Sequence, residues 1–484
     1  MSIKRDRSLN HNSVAPSYSK DDPMKRRTFL NLMSASLLLA PRAVGWSTLS
    51  KGKIPFECDE LGLKLTPKTL TDSIGTITLD QLPDPVPQSK IRLTDVTPLT
   101  ERLWRIALSA IESNIVQTTD GQYFGAGTDY GVVIFTRDIS YAGILGLASL
   151  YPQQLLDSLK VSRTVRSRIG FTVSGEGYFV PEINVPWKSA GMEDRVFART
   201  YHTPSYTRQT DDVVWLWCAN ELLTKRSGGA DWQWMYDTGI KYFNEFYAPF
   251  FDPHDGLYRG QASFVDIHSP TSKATGYPED FSVQDCVLLK ALSTNCLYVK
   301  GLEAMASASA RLGLKSESSR WKKQAKALRV AIRKEFRNKD GTFAYYKDRH
   351  GNLEQRREAL GTALAVITGV VSGRDARTAL DGYPVSSAGV PLFLPFFPTP
   401  RWYHNNSSWP FVDTFFLRAW EQAYHVDRTG LNAALLARTC RGGAFHEVVD
   451  YRTSAIKGSV NQLWSAAGFI DVCHRAGLLT KAIT

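Results

Sequence analysis

From Thr100 to the C-terminus the chain is a succession of helical periods, and this constrains its fold more than any other feature. Leu103, Ile106, Ala107, Ala110 and Ile111 recur at the spacing of one helix face. Further helical segments lie near 139–151, 154–169, 212–225, 231–248, 283–312, 315–337, 358–371, 409–427, 429–440 and 461–476. That makes about eleven helices, separated by loops rich in Gly, Pro, Asp and aromatics, with few convincing strands. So many sequential hairpins build either an open solenoid or a closed ring. A solenoid needs a fixed-period repeat, and none is present. The loops differ from one another and carry the charged and aromatic residues, which suits a toroid whose loops build a site on one side. The expected fold is therefore all-α, a toroid over 99–484. Before it, residues 47–98 carry Pro, Thr and Lys with little helical period, and read as an extended, irregular arm with one short strand from Gly75 to Leu79. Hydrophobic residues are 43% and charged residues 22% of the 484, so a large core is within reach. A ring of helices can hold one core beyond the roughly 250–300 residues at which a single core usually stops growing.

The formal charge of +11 invites a nucleic-acid reading. Its distribution argues against one. Residues 1–46 hold eight Lys/Arg and three Asp, net +5, which leaves +6 for the rest of the chain, without a long basic run. Within that leader, Lys25-Arg26-Arg27-Thr28-Phe29-Leu30 precedes a short apolar run from Leu32 to Ala40. Basic residues before such a run describe a secretory signal. The paired arginines resemble the bacterial twin-arginine signal, whose machinery exports proteins already folded. The run falls short of the about 20 residues that a membrane span needs. Residues 1–46 thus read as a disordered leader and signal. The expected location is the periplasm or the exterior, with the export machinery as protein partner and no stable membrane span after processing. The six cysteines, Cys58, Cys218, Cys286, Cys296, Cys440 and Cys473, form no CxxC and no Cys/His metal spacing. They read as small buried hydrophobes, with disulfides after export the alternative and no pairing fixed by the sequence, and neither a metal nor a cofactor is expected.

Five segments carry chemistry. Thr136-Arg137-Asp138 follows an apolar run and opens a helix; Asp138 can cap it, or Arg137 and Asp138 can together hold a vicinal diol, a fork of donors beside an acceptor. Gln209-Thr210-Asp211-Asp212-Val213-Val214-Trp215 sets two acids at another helix start, one a cap and the other free for a substrate. Gly260 to Asp266 ends an apolar stretch on Asp266, whose burial would raise its pKa and fit it to act as a general acid. Glu279 and Asp280 follow before a long helix, where capping is the plainer account. Trp402-Tyr403-His404-Asn405-Asn406-Ser407-Ser408-Trp409-Pro410 is too dense in aromatics and amides for a simple turn, and Pro410 suits the first turn of the next helix. Phe445-His446-Glu447 lies in a loop rich in Gly and Arg, where a surface ion pair is the alternative. Gln462-Leu463-Trp464-Ser465 then opens the last helix, with Gln462 and Trp464 facing the ring's centre.

In this order the five segments resemble those of the six-hairpin glycosidases. The nearest pattern is the amylo-1,6-glucosidase domain of glycogen-debranching enzymes, with trehalase, glucoamylase and processing α-glucosidase more distant. The family's Arg-Asp resembles Arg137-Asp138. Its Asp-Ala-x-x-Trp is similar to Asp212 through Trp215, with Val213 for Ala and one residue fewer before the Trp. Its Trp-Met-Asp acid segment is similar to Phe264-Val265-Asp266, which keeps only the Asp. Its Tyr-His-Asn-Gly-x-x-Trp-Pro resembles Tyr403 through Pro410, with Asn406 for Gly. Its Glu loop and Gln-x-Trp-Ser resemble Glu447 and Gln462 through Ser465. The resemblance implies an (α/α)6 toroid and a glycoside hydrolase acting on an oligo- or polysaccharide by inversion. Asp266 would be the general acid and Glu447 the general base. Arg137, Asp138, Asp212, Tyr403, His404, Asn405, Trp409, Gln462 and Trp464 would bind the sugar. The β-sandwich that many relatives carry before the toroid is not expected here.

Two other readings compete. A polysaccharide lyase also uses toroids and would enlist Tyr201-His202 or Tyr403-His404 as its base. A non-catalytic sugar-binding toroid would keep the aromatics and lose a carboxylate, which the pair Asp266 and Glu447 argues against. The export reading is tested by changing Arg26 and Arg27 to Lys. Precursor should then remain in the cell, and undiminished export would remove the twin-arginine route.

Overall fold

The computed structural model describes residues 57–58, 61–118, 121–131, 135–169, 177–180, 185–188, 195–197, 200–202, 209–226, 228–265, 276–281, 283–398 and 402–479. The leader and signal over 1–46 lie outside them. Among the described residues twelve helices build the ring, alternating outer and inner along the chain. The outer set is α1 (Pro98–Ser113), α3 (Pro152–Ile169), α5 (Gly229–Lys241), α7 (Lys315–Phe336), α9 (Gly373–Leu380) and α11 (Thr429–Arg438). The inner set is α2 (Thr136–Ala142), α4 (Gln209–Lys225), α6 (Leu292–Arg311), α8 (Ala359–Ile367), α10 (Pro410–Tyr424) and α12 (Leu463–Arg475). Each inner helix packs on the next, α2 on α4, α4 on α6, then α8, α10 and α12, and α12 returns to α2. That closure makes the expected (α/α)6 toroid. The outer helices cover the inner joints: α3 touches α2 and α4, α5 touches α4 and α6, α9 touches α8 and α10, and α11 touches α10 and α12.

Local chemistry accounts for the elements. α1 starts with Thr97, whose hydroxyl accepts from Thr100 N (3.2 Å), followed by Pro98 at its first position. Its buried face is the expected one, Leu99, Leu103, Ile106, Ala107, Ala110 and Ile111. α10 also begins on a proline, Pro410, and ends where His425 turns left-handed at φ 56°. α8 begins on Glu358, which accepts from Leu360 N (3.1 Å) and Gly361 N (2.8 Å).

Four expectations change. The arm is not merely extended: strands β1 (Glu57–Cys58), β2 (Leu63–Leu65), β3 (Thr69–Asp72) and β4 (Gly75–Thr78) form an antiparallel meander that packs on α11. Leu63, Leu65, Leu70 and Ile77 are buried there, strands too short for their alternation to stand out in the sequence. The arm is tied to the chain's far end, where Thr94 N donates to Leu478 O (2.8 Å). The segment 283–312 is broken at Lys290–Ala291, which pair as a short strand with Tyr346–Lys347, and Lys290 reaches Asp252 and Asp255, both at 2.6 Å. α9 was not expected; it buries only Ala376, Ala379 and Leu380, a stripe too short to read as a period. The helical period from 139 begins at Thr136 and passes through a π-turn at Gly143–Leu147. No described helix is long and apolar enough to cross a membrane.

Contacts between helix starts put one end of the ring to use. A Cβ on Gly361, in the first turn of α8, would lie 3.1 Å from Ser293 N in the first turn of α6. Ala359 N donates to Leu392 O (2.9 Å) and Leu392 N to Ser407 O (2.8 Å), which joins α8 to the approach of α10. Trp409 before α10 meets Trp464 of α12, ring centroids 5.9 Å apart. The starts of α6, α8, α10 and α12 are therefore neighbours.

Glu358 at this end is fully buried. Burial pushes its carboxyl up to about 8, against the opposing pull of the Gly361 and Leu360 N–H groups and Ser293. A folded-state pKa above the ordinary 4.5 means the folded protein binds the extra proton between the two values. Stability from this group is present at low pH and is lost as pH rises through that window. Calorimetry should show Tm falling from about pH 5 to about pH 8. Glu358→Gln, which mimics the protonated acid, should flatten that slope; an unchanged slope would contradict the assignment.

Candidate active site

Glu447 was expected in a loop, but it lies on a strand. β6 (His446–Asp450) pairs antiparallel with β7 (Ile456–Val460) and with β5 (Ser407–Ser408), and the register slips between His446 and Val448. That irregularity sits at Glu447 itself, and such bulges re-aim a side chain. The carboxylate is 3% exposed. Tyr130 Oη donates to its Oε1 at 2.8 Å, Tyr403 Oη donates to the same oxygen at 3.0 Å, and Ser459 N donates to Oε2 at 3.0 Å. Gly458 permits the last bond: it stands at φ +77°, and a Cβ there would lie 2.5 Å from Oε2.

Tyr130 ends the short turn Thr128–Tyr130, which is docked on β7. Thr128 Oγ1 donates to Val460 O (2.8 Å) and Asp129 N to Ser459 Oγ (3.4 Å). A Cβ on Gly127 would collide with Ser459 Oγ, so only glycine lets the turn approach so closely. Burial, and then the charge of Glu447, push the Tyr130 phenol well above its usual range, so it stays a donor.

Arg137 and Asp138 occupy the first turn of α2, both nearly buried, with Arg137 Nε 3.7 Å from Asp138 Oδ2. Asp138 is not the cap of α2; Phe135 holds that position. Gln462 is the cap residue of α12 and is fully buried. Its amide can donate to Asp138 Oδ1 (3.3 Å), but that orientation faces like atoms on Ala126 O and Trp464 Nε1. Turned over, it donates to Ala126 O (2.8 Å) and accepts from Trp464 Nε1 (3.1 Å), two good bonds for one long one, and this orientation is preferred.

Aromatic rings complete the wall. Trp409 stacks on His404 (5.3 Å, 13°) and meets Tyr403 edge-on (5.1 Å). Its Nε1 donates to Ser407 Oγ at 3.0 Å. Phe264 packs on His404, Trp409 and Trp464. Asn405, expected to touch sugar, ties its own loop together. Its Oδ1 accepts from Phe397 N (3.0 Å) and its Nδ2 donates to Phe397 O (3.1 Å). The structure thus brings together Arg137, Asp138, Tyr403, His404, Trp409, Glu447, Gln462 and Trp464. Asp266 lies outside the described residues, as do the side chains of Asp211, Asp212, Tyr201 and His202.

Backbone strain concentrates here. Phe264 (φ 58°), Tyr403 (φ 110°), Asn406 (φ 56°) and Asn461 (φ 51°) are left-handed, a state that persists only where surroundings over-determine it and that clusters at functional sites. Tyr130, Gly458 and Ser459 were missed in the sequence. Tyr130 had a signal, a tyrosine in the turn Gly127-Thr128-Asp129-Tyr130-Gly131 just before Arg137-Asp138. Ser459 acts through its backbone N–H and had none.

The model of the mannosylglycerate hydrolase MGH1-like glycoside hydrolase domain matches residues 196–465, more than half of the chain. The chain belongs to this family. The matched span contains Asp266, the Tyr403–Trp409 segment, Glu447, Gln462 and Trp464; Tyr130, Arg137 and Asp138 precede it. Among solved structures, the GH63 mannosylglycerate hydrolase from Thermus thermophilus in complex with glucose is similar at TM-score 0.55 and 15% identity, over 76% of this chain and 99% of that one. The same enzyme in complex with Tris and D-glycerate gives TM-score 0.56 and 14% identity over the same shares. A GH78 rhamnosidase of Bacillus sp. GL1 gives TM-score 0.51 and 14% identity, over 83% of this chain and 36% of that one. Identities this low show the fold alone, and that fold is the six-hairpin glycosidase toroid. No curated protein matches the chain. This MGH1-like glycoside hydrolase therefore takes a carbohydrate substrate.

Proposed function

We propose that this MGH1-like enzyme hydrolyses its glycoside with inversion, Asp266 serving as general acid and Glu447 as general base. The observation that carries the reading is the setting of Glu447. Two phenols and a backbone N–H all donate to its carboxyl, an arrangement that favours the ionised form a base needs. Asp266 follows Val265 directly, and Phe264 just before it is packed on the wall formed by His404, Trp409 and Trp464. In the reaction, a water held by Glu447 attacks the anomeric carbon and gives up a proton to the carboxylate. The bond to the leaving oxygen breaks as Asp266 donates its proton there. Inversion requires the two carboxyls about 6.5–9.5 Å apart, leaving room for the water. Arg137, Asp138, Asp212, Tyr403, His404, Trp409, Gln462 and Trp464 surround the sugar at the cleavage point, while Asn405 holds their loop. The shared toroid with the Thermus enzyme makes a short glycoside such as mannosylglycerate the first substrate to test, beside α- and β-linked oligosaccharides.

The same reading includes export through the twin-arginine route to the periplasm or exterior. Cys218, Cys286, Cys296, Cys440 and Cys473 are all buried and free. Burial raises the thiol pKa of each. Five covered, inert thiols suit a protein that folds in a reducing compartment and crosses the membrane folded.

The roles predict different variants. Asp266→Asn should lose most activity on natural linkages yet keep more on substrates with good leaving groups, which need little protonation. Glu447→Gln should lose about 10²–10⁴-fold on both. If Glu279→Gln proves more damaging than Asp266→Asn, with the same leaving-group dependence, the acid is Glu279.

A further inference from the structure

Glu447 shares one oxygen between two phenols that reach it from separate parts of the chain. Tyr130 comes from the turn after the hairpin Ile115–Thr118/Gly121–Phe124, and Tyr403 from the loop before β5. Their hydroxyls are 3.5 Å apart. Each phenol has a single proton to give, and both give it to Oε1, so only an acceptor with two lone pairs and negative charge satisfies both. The phenols are not there by default. Tyr403 is held at φ 110°, which a bulky residue seldom adopts. Tyr130 is carried by a turn that two hydrogen bonds fasten to β7, the strand whose Ser459 N–H holds Oε2.

Among the described residues, few charged groups compete with the phenols for Glu447. On α2, Asp138 acts on Tyr130 electrostatically, and Arg137 lies against Asp138. His404 neighbours Tyr403, ring centroids 4.8 Å apart. On the β6–β7 hairpin, His446 Nδ1 is turned to the Thr439 and Ala444 carbonyls, and Lys457 pairs with Asp450 at 2.8 Å. Asp129 precedes Tyr130 in its turn, and Asp266 lies outside the described residues.

We propose that Tyr130 is a positioning residue for hydrolysis: with Tyr403 it holds Glu447 in one place as a carboxylate, and so sets the pH at which the enzyme acquires its base. The proposal rests on the reading of Glu447 as the base. Hydrogen bonds to the charged form lower a carboxyl's pKa. Removing one such donor should raise it by about one pH unit.

The test is the pH profile of kcat/KM for Tyr130→Phe, a substitution that keeps the ring and removes the hydroxyl. The acidic limb should move up by about one unit. kcat at the optimum should fall about tenfold, within the scale of acid–base contributions, while KM and Tm stay near wild type. Adding Tyr403→Phe should move the limb further in the same direction. A limb at its wild-type position in Tyr130→Phe, with or without a uniform loss of rate, overturns the clamp. Glu447→Gln separates the two failures. If that variant is inactive and the limb has not moved, the clamp is wrong and the base stands; if it keeps near wild-type activity, the reading of the base is wrong and the clamp falls with it.

Discussion

Closure of the helical ring is the constraint on which the rest depends. α12 must pack on α2, though more than 300 residues separate them, before Gln462 can stand beside Asp138 or Trp464 beside Trp409. Beside that closure the α10–α12 contact is aromatic: Trp464 stacks on Phe411 (4.2 Å, 21°), and Phe264 packs against both. Truncating a buried ring of this kind costs about 3–5 kcal/mol, a large fraction of a typical total stability. Site and core thus share residues. Trp409 and Trp464 belong to the candidate site and also hold the last inner helices together.

Placing helix starts at one end of the ring then assembles the chemistry. The candidate site groups precede helices or occupy their first turns: Arg137 and Asp138 on α2, Trp409 before α10, Gln462 before α12. Those positions leave backbone N–H groups unpaired within the helix, so polar side chains belong there in any case. Glu358 at the start of α8 shows the same rule serving structure alone. Glu447 is the exception, coming from a hairpin laid across this end, where a register slip, a left-handed glycine and a neighbouring turn give its carboxylate a fixed place.

This division explains how much was legible in the sequence. Helical periods and capping chemistry are local, so the ring and the segments around Arg137, Trp409 and Gln462 could be read directly. The order of the five motifs carried the superfamily. The hairpin around Glu447 was not legible, because Gly442-Gly443 and Gly458 resemble loop residues and the strands are only five residues long. The bonds of Asn405 to Phe397 were hidden for a related reason: an amide in an aromatic loop suits a sugar or a carbonyl equally, and only the fold puts Phe397 within reach. Tyr130 acts from a turn, where no periodicity marks a residue, and its partner is more than 300 positions away.

The central claim is that Glu447, fixed by its donors, activates water on the face of the sugar opposite the leaving group. Proton NMR of the first-formed product, recorded before mutarotation, tests this most directly. The account predicts a product anomer opposite to that of the substrate. A product that keeps the substrate's anomeric configuration would mean that a carboxylate attacks the sugar itself, and would contradict it.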